Sequence, residues 1–68
     1  MYFVLELQKM ANGNCSILTY HEDTWDYNHA ESVYHGKCQY AAISEIPTHS
    51  VILLDVEGAV YLTKTYGH

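Results

Sequence analysis

Apolar and polar residues alternate with a period of two along four segments of the chain, which is the pattern of β-strands. The first two segments, 2–9 and 15–21, are separated by Asn12-Gly13, the residue pair best suited to a tight hairpin turn. The last two segments, 50–56 and 59–66, are separated by Glu57-Gly58. The pattern therefore predicts two β-hairpins.

Between the hairpins the apolar spacing changes to steps of three and four, which is the helical period. The apolar stripe consists of Tyr27, Ala30, Tyr34, Cys38 and Ala41. Asp23, Thr24 and Asp26 are all competent to cap the start of this helix, and a capping box of Asn28 with Glu31 is an alternative start one turn later. Pro47 should end it near Ser44 or Glu45, because the residue before a proline is disfavoured in helical conformation.

The element order is therefore ββαββ in a single small domain that spans residues 1–68. The simplest architecture is an α+β fold in which one helix packs on one face of a four-stranded antiparallel sheet, since this buries the helix stripe and a sheet face together.

Both faces of the predicted sheet are apolar, although an antiparallel sheet open to water is usually polar on its outer face. We assign the helix to the face with Phe3, Leu5, Leu7, Leu18, Ile52, Leu54, Val60 and Leu62. The other face should be covered by a second copy, because large apolar patches are rarely exposed and so short a chain builds little core alone. The expected oligomer interface comprises Tyr2, Val4, Ile17, Val51, Leu53 and Tyr61.

Charge and hydropathy exclude two classes of partner. Eight carboxylates face three lysines and no arginine, for a formal charge of -5. This balance disfavours direct nucleic-acid binding, which requires a basic surface, and mildly favours a basic partner. The longest apolar run, Val51 to Leu54, is too short to span a bilayer, and the opening residues do not form a secretory signal. We therefore expect a cytoplasmic protein without a membrane partner.

Histidines and carboxylates around the start of the helix offer nitrogen and oxygen ligands for a metal. They are His21, Glu22, Asp23, Asp26 and His29. Their spacing matches no recognised ligand motif, so we predict no metal site and no cofactor. Glu31 and His35 are four residues apart and should form a weak surface pair.

The cysteines leave one catalytic alternative open. Cys15 and Cys38 could form a bridge, but without an export signal we expect two reduced, buried thiols. Cys38 beside a histidine could in principle supply a thiolate nucleophile, although its place on the apolar stripe favours an inert thiol. A small metal-dependent or Cys-His enzyme using the region from His21 to His35 is therefore the competing hypothesis.

Seven tyrosines and one tryptophan are a heavy aromatic load for 68 residues. Aromatic rings and imidazoles between subunits could stack a planar, nucleotide-like ligand. The candidate ligand-binding residues are Trp25, Tyr27, His29, Tyr34, His35, Lys37 and Tyr61. The alternative is that most of these tyrosines are half-buried core or interface residues.

Five segments spread along nearly the whole chain carry a resemblance to a known group of proteins. They are MYFVLELQ at 1–8, HAESVYH at 29–35, AAIS at 41–44, HSVIL at 49–53 and YGH at 66–68. They resemble short proteins encoded in phages and prophages of gut Firmicutes. The resemblance implies a protein made inside a bacterial cell that binds and blocks a host defence protein or sequesters its nucleotide signal. A structural virion or assembly component is a further alternative.

Overall fold

The computed structural model describes residues 1–21 and 25–67 and, within these, the side chains of all but residues 20 and 21. Four strands form one antiparallel sheet, and a single helix packs on one of its faces. The elements are β1 (Tyr2–Lys9), β2 (Cys15–His21), α1 (Tyr27–Ile43), β3 (Thr48–Asp55) and β4 (Val60–Gly67). The predicted α+β fold with the order ββαββ is confirmed.

The ends of α1 are fixed by side chains that cap free backbone groups. Asp26 is the N-cap, and its carboxylate accepts the backbone N–H of Asn28 at 3.0 Å. Ser44 is the C-cap, and its hydroxyl accepts the N–H of Ile46 at 3.1 Å, next to Pro47. The helix therefore begins at one of the three predicted caps and ends where the proline predicts. The other two candidate caps, Asp23 and Thr24, lie outside the described residues.

Glycine supplies the left-handed backbone that each hairpin turn requires. Gly13 has φ of +89° and Gly58 has φ of +88°. The N–H of Gly13 donates to the carbonyl of Met10 at 3.0 Å, and the N–H of Gly58 donates to the carbonyl of Asp55 at 3.0 Å. Both turns predicted from sequence are present, because only glycine adopts this region without a steric cost.

The strand order is β2-β1-β3-β4, so the two central strands are β1 and β3. Since β1 is antiparallel to both β2 and β3, those two strands run in the same direction with β1 between them. The connection through α1 is thus a crossover between parallel strands, and such connections are right-handed in nearly all proteins. A crossover with a preferred hand can place the helix on only one face of the sheet, so the covered face depends on the strand order as well as on apolar content.

The sheet face that α1 covers is the opposite of the face that we assigned to the helix from the apolar residues of the sequence. Val4, Val51 and Leu53 are fully buried beneath α1, so the assignment of these residues to an oligomer interface is wrong. The core also contains Ala30, Tyr34, Cys38 and Ala41 from the predicted helix stripe. Tyr2 packs partly buried against this core as well, so it belongs to the helix side and not to an external interface.

The uncovered face, here called the open face, contains the side chains that we assigned to the core, except Leu18 and Leu62. Phe3 stands opposite Leu54, and Leu5 stands opposite Ile52. Ile17 stands opposite Leu7, which places this one predicted interface residue on the open face. The described open face consists of Phe3, Leu5, Leu7, Lys9, Cys15, Ile17, Thr19, Thr48, Ser50, Ile52, Leu54, Val60, Thr63 and Thr65.

A register shift between β3 and β4 changes the alternation in the last strand. Leu53 stands opposite Leu62 and Leu54 stands opposite Val60, so Tyr61 is the extra residue of a bulge. Val60 therefore lies on the open face and Leu62 on the helix side, although simple alternation puts both on one face. The bulge also frees Tyr61 from the β3 ladder, so its ring joins an aromatic cluster at the end of the sheet.

The helix is placed off the centre of the sheet. Across the described residues α1 contacts β1, β3 and β4 but not β2. On β2, Ile17 on the open face is 66% exposed, and Leu18 on the helix side is 41% exposed. Leu18 is opposite Glu6 in the register, so its prediction as a core residue beside Phe3 is wrong. The edge strand β2 is therefore uncovered on both faces.

No helix in the described part of the chain has the length and apolar character needed to cross a membrane.

Candidate binding surfaces

The candidate ligand-binding residues do not form one site. Tyr34 is buried in the core on the sheet-facing side of α1, so its assignment to an accessible pocket is wrong. His29 and His35 are exposed on the helix, and Lys37 is partly exposed there. Trp25, Tyr27 and Tyr61 instead gather at the end of the sheet where β1 begins, around a residue that the sequence did not suggest for this role, Tyr2.

Three tyrosines form a closed aromatic cluster at that end. The ring centroids of Tyr2 and Tyr27 are 5.4 Å apart, and those of Tyr2 and Tyr61 are 5.7 Å apart. Tyr27 and Tyr61 are also 5.7 Å apart, and all three contacts are edge-to-face. This geometry is favourable because the positive edge of one ring meets the negative face of the next. The cluster joins the first turn of α1 to β1 and β4 and holds each ring in one orientation.

A cavity of about 230 Å³ opens beside this cluster. Its lining residues are Met1, Tyr2, Trp25, Asp55, Val56 and Glu57. The Trp25 side chain is 76% exposed, so its indole is presented to solvent and not used in the core. The cavity thus combines exposed aromatic surface with two carboxylates.

Asp55 is held in place by hydrogen bonds from its own turn. One oxygen, Oδ1, accepts the backbone N–H of Glu57 at 2.9 Å and of Ala59 at 3.0 Å. The other, Oδ2, accepts the hydroxyl of Tyr61 at 2.7 Å. These bonds lower the pKa of Asp55, and the hydrogen bond from Tyr61 has the largest effect. The hydrogen bond between Tyr61 and Asp55 also raises the pKa of Tyr61 to about 12. Asp55 is therefore a permanent negative charge at neutral pH.

A buried polar pair lies between the sheet and the helix, and sequence reasoning missed it. His49 Nε2 and Glu6 Oε2 are 3.0 Å apart, and the two residues are 4% and 5% exposed. His49 Nδ1 is buried with no hydrogen-bond partner among the described residues. The sequence contains one signal for this pair: Glu6 lies two residues after Val4 and therefore on the same face of β1. The pair is closed off from solvent, so its arrangement favours a structural role over general base catalysis.

Cys38 lies beside two tyrosines in the same interior. Burial and a hydrogen bond with Cys38 raise the pKa of Tyr34 to about 12. Burial and the nearby thiol of Cys38 also raise the pKa of Tyr66. Cys38 is buried as predicted, whereas Cys15 is exposed on the open face. Both cysteines are free thiols. The thiol of Cys38 therefore sits among aromatic core side chains, as an inert cysteine does.

The described residues contain no group of three or more His, Cys, Asp or Glu side chains that could hold a metal. Of the proposed ligands, Glu22 and Asp23, and the side chain of His21, lie outside the described residues. His35 and Glu31 are 3.4 Å apart on the exposed helix surface, which is the predicted i,i+4 pair. Such an exposed pair contributes little to stability and does not by itself build a catalytic site.

The open face is an apolar surface that no element among the described residues covers. A shallow cavity of about 330 Å³ lies on it between β1, β2 and β3, lined in part by Leu7, Cys15, Ile17 and Ser50. None of the described residues on this face is acidic, and Lys9 is the only charged one, at the end of β1. Polar side chains are small hydroxyls, such as Ser50 and Thr65, which hydrogen bond to each other at 2.9 Å.

Comparison with protein-family models, with curated proteins and with solved structures finds no match to this chain.

Proposed function

We propose that this protein is a non-catalytic binding protein that acts as a homo-oligomer, with the open face as the contact between copies. The observation that carries the proposal is the composition of that face, which presents Phe3, Leu5 and Leu7 on β1 and Ile52 and Leu54 on β3 and is free of carboxylates among its described residues. Soluble monomers rarely expose a contiguous apolar patch of this kind.

The size of the open face suits a dimer. Strands of eight residues rising about 3.3 Å each, with four strands about 4.8 Å apart, give a face of roughly 500 Å². Two such faces packed together bury about 1,000 Å², which is the lower limit for a specific interface. Face-to-face packing of two sheets is the arrangement found in β-sandwiches.

Charge favours a second copy of this chain over a charged partner on the open face. Each chain has a formal charge of -5, yet the described open face carries none of these carboxylates. Joining two open faces therefore avoids the high cost of removing a carboxylate from water. A strongly basic partner, by contrast, would find no opposite charge on this surface.

Association also adds to the small core of the chain. Only seven hydrophobic side chains are buried among the described residues, and three of them are the small side chains Ala30, Cys38 and Ala41. A domain of this length buries only about 60% of the surface of its unfolded chain, so extra apolar burial contributes strongly to its stability. A second copy supplies that burial without a further sequence element.

The biological setting that we propose follows from the resemblance to phage and prophage proteins. In that setting the oligomer is made in the host bacterial cytoplasm and blocks a host defence protein. The carboxylates outside the open face support a basic target. Sequestration of a nucleotide has weaker support, because Asp55 and Glu57 line the aromatic cavity and would repel phosphates.

Sedimentation velocity over a range of concentrations tests the oligomer. The 7.8 kDa chain should sediment as a dimer, and Ile17→Lys should shift it to monomer because it places a charge in the interface. Ile43→Lys is the matched control, since Ile43 is 80% exposed at the end of α1, away from the open face.

Cysteine alkylation is a second measurement of the same interface. Alkylation of the native protein should modify Cys15 faster in Ile17→Lys than in Ile43→Lys. Monomer at all concentrations, or equal loss of dimer in both variants, would refute the proposal.

A further inference from the structure

The cavity beside the tyrosine cluster is separate from the open face. It is lined by Tyr2, Trp25, Asp55 and Glu57, at the end of the sheet where β1 begins and on the side covered by α1. Its volume of about 230 Å³ is smaller than the ~300–1,000 Å³ typical of whole drug-sized ligands. A cavity of this size suits one head group and not a whole cofactor.

Two aromatic side chains in the cavity present surface for a cation. Trp25 is largely exposed, and indole has the most favourable ring face for cation–π contact. The ring of Tyr2 is fixed by its edge-to-face contacts with Tyr27 and Tyr61. A ring that is already oriented loses no conformational freedom when a ligand binds.

The carboxylates give the cavity the opposite charge to a cation. A carboxylate offers about four acceptor positions, and Asp55 uses three of them for Glu57, Ala59 and Tyr61. Among the described residues, one position on Oδ2 and the whole carboxylate of Glu57 remain for a ligand. Met1 also lines the cavity, and its amino group balances one of the two negative charges, so the cavity keeps a net negative charge. Lys9 is at the opposite end of β1.

We propose that this cavity binds an alkylammonium group, with the aromatic rings of Trp25 and Tyr2 contacting its methyl groups and Glu57 and Asp55 balancing its charge. The group could belong to a small quaternary amine or to a methylated lysine side chain, which share this chemistry. Aromatic side chains with nearby carboxylates recognise quaternary ammonium ligands in this way. The inference goes beyond the proposed function, because it concerns a different surface and does not require a dimer.

Trp25 is the only tryptophan, so its fluorescence reports binding directly. Choline should change the fluorescence and saturate, whereas 3,3-dimethylbutan-1-ol, its neutral isostere, should bind at least about fivefold more weakly because cation–π and ionic contacts are lost. Equal binding of the two compounds would show an apolar cavity without cation recognition and would overturn the proposal. Absence of saturation with choline and with an acetylated trimethyllysine amide would also overturn it.

Two variants and a control locate the site. Glu57→Gln should weaken choline binding by about fivefold through loss of one charge. Glu45→Gln, an exposed glutamate after the other end of α1, should leave binding unchanged. Tyr2→Leu should weaken binding further. If Tyr2→Leu fails to fold, the comparison of Glu57→Gln with Glu45→Gln still tests the proposal.

The two ligands also distinguish the natural source of the alkylammonium group. Tighter binding of trimethyllysine amide than of choline would identify a lysine side chain as the natural source, and the reverse would identify a small amine. Ile17→Lys should bind choline like the unmodified protein, which separates this proposal from the dimer.

Discussion

The His49 imidazole is hydrogen bonded to the Glu6 carboxylate at 3.0 Å, although the two residues do not stand opposite each other in the β1–β3 ladder. Glu6 is opposite Val51, and His49 is opposite Gln8. The bond therefore runs diagonally across the covered face of the sheet, within reach of long side chains. A register slip of one residue would turn one partner out of the interior, so the pair specifies the register as well as filling the core.

Replacing Glu6 with leucine should lower the free energy of unfolding by about 2–3 kcal/mol, because the buried imidazole would lose its partner. The Glu6→Leu/His49→Leu double variant should recover part of this loss, since it leaves no polar group unpaired. Urea denaturation followed by circular dichroism measures both. A double variant whose loss equals the sum of the two single losses would show that the pair is not coupled.

Gly36→Ala should stabilise the protein by about 1 kcal/mol, because glycine in a helix interior costs that much relative to alanine. Gly36 lies within α1, and among the described residues a Cβ added there would meet nothing within 4 Å outside its own stretch of helix. Thermal unfolding measures the change. Gly13→Ala is the contrasting variant: space around Gly13 is also open, but its φ of +89° is strained for alanine, so this change should destabilise. Destabilisation by Gly36→Ala would mean that something packs on α1 at this position.

Alkaline pH should destabilise the protein through Tyr34. Burial and the hydrogen bond with Cys38 raise the pKa of Tyr34 to about 12 in the folded state, above its ordinary value of 10.0. A raised folded pKa means that the stabilisation is complete below the unfolded pKa and is lost as the pH rises from 10 through 12. Absorbance at 295 nm should show Tyr34 and Tyr61 ionising last. The free energy of unfolding should fall less steeply above pH 10 in Tyr34→Phe, and an unchanged slope would contradict this account.

The elements of the fold could be predicted from the sequence because each has a local cause. Alternation marks the strands, Asp26 and Pro47 bound the helix, and Gly13 and Gly58 mark the turns. The covered face of the sheet could not be predicted in this way. Val4 and Leu5 are both apolar, so alternation does not distinguish the two faces, and the choice depends on the strand order and the crossover.

The candidate site was only partly predictable for a related reason. The aromatic residues Trp25, Tyr27 and Tyr61 are recognisable by composition, but their meeting point depends on the bulge at Tyr61 and on Tyr2. A bulge shifts the phase of a strand by one residue and leaves no clear signal in a single sequence. The partnership of Glu6 and His49 is likewise set by a pairing of strands 43 positions apart.

The off-centre position of α1 has a consequence for cooperativity. Because α1 does not contact β2 in the described residues, that strand depends on β1 alone for its attachment. An element with so few buried contacts opens at a lower free energy than the rest of a domain. In the proposed dimer a second sheet would cover the open face of β2, so subunit association would complete its folding. The apparent melting temperature should then rise with protein concentration, as it does whenever only the folded chain can associate.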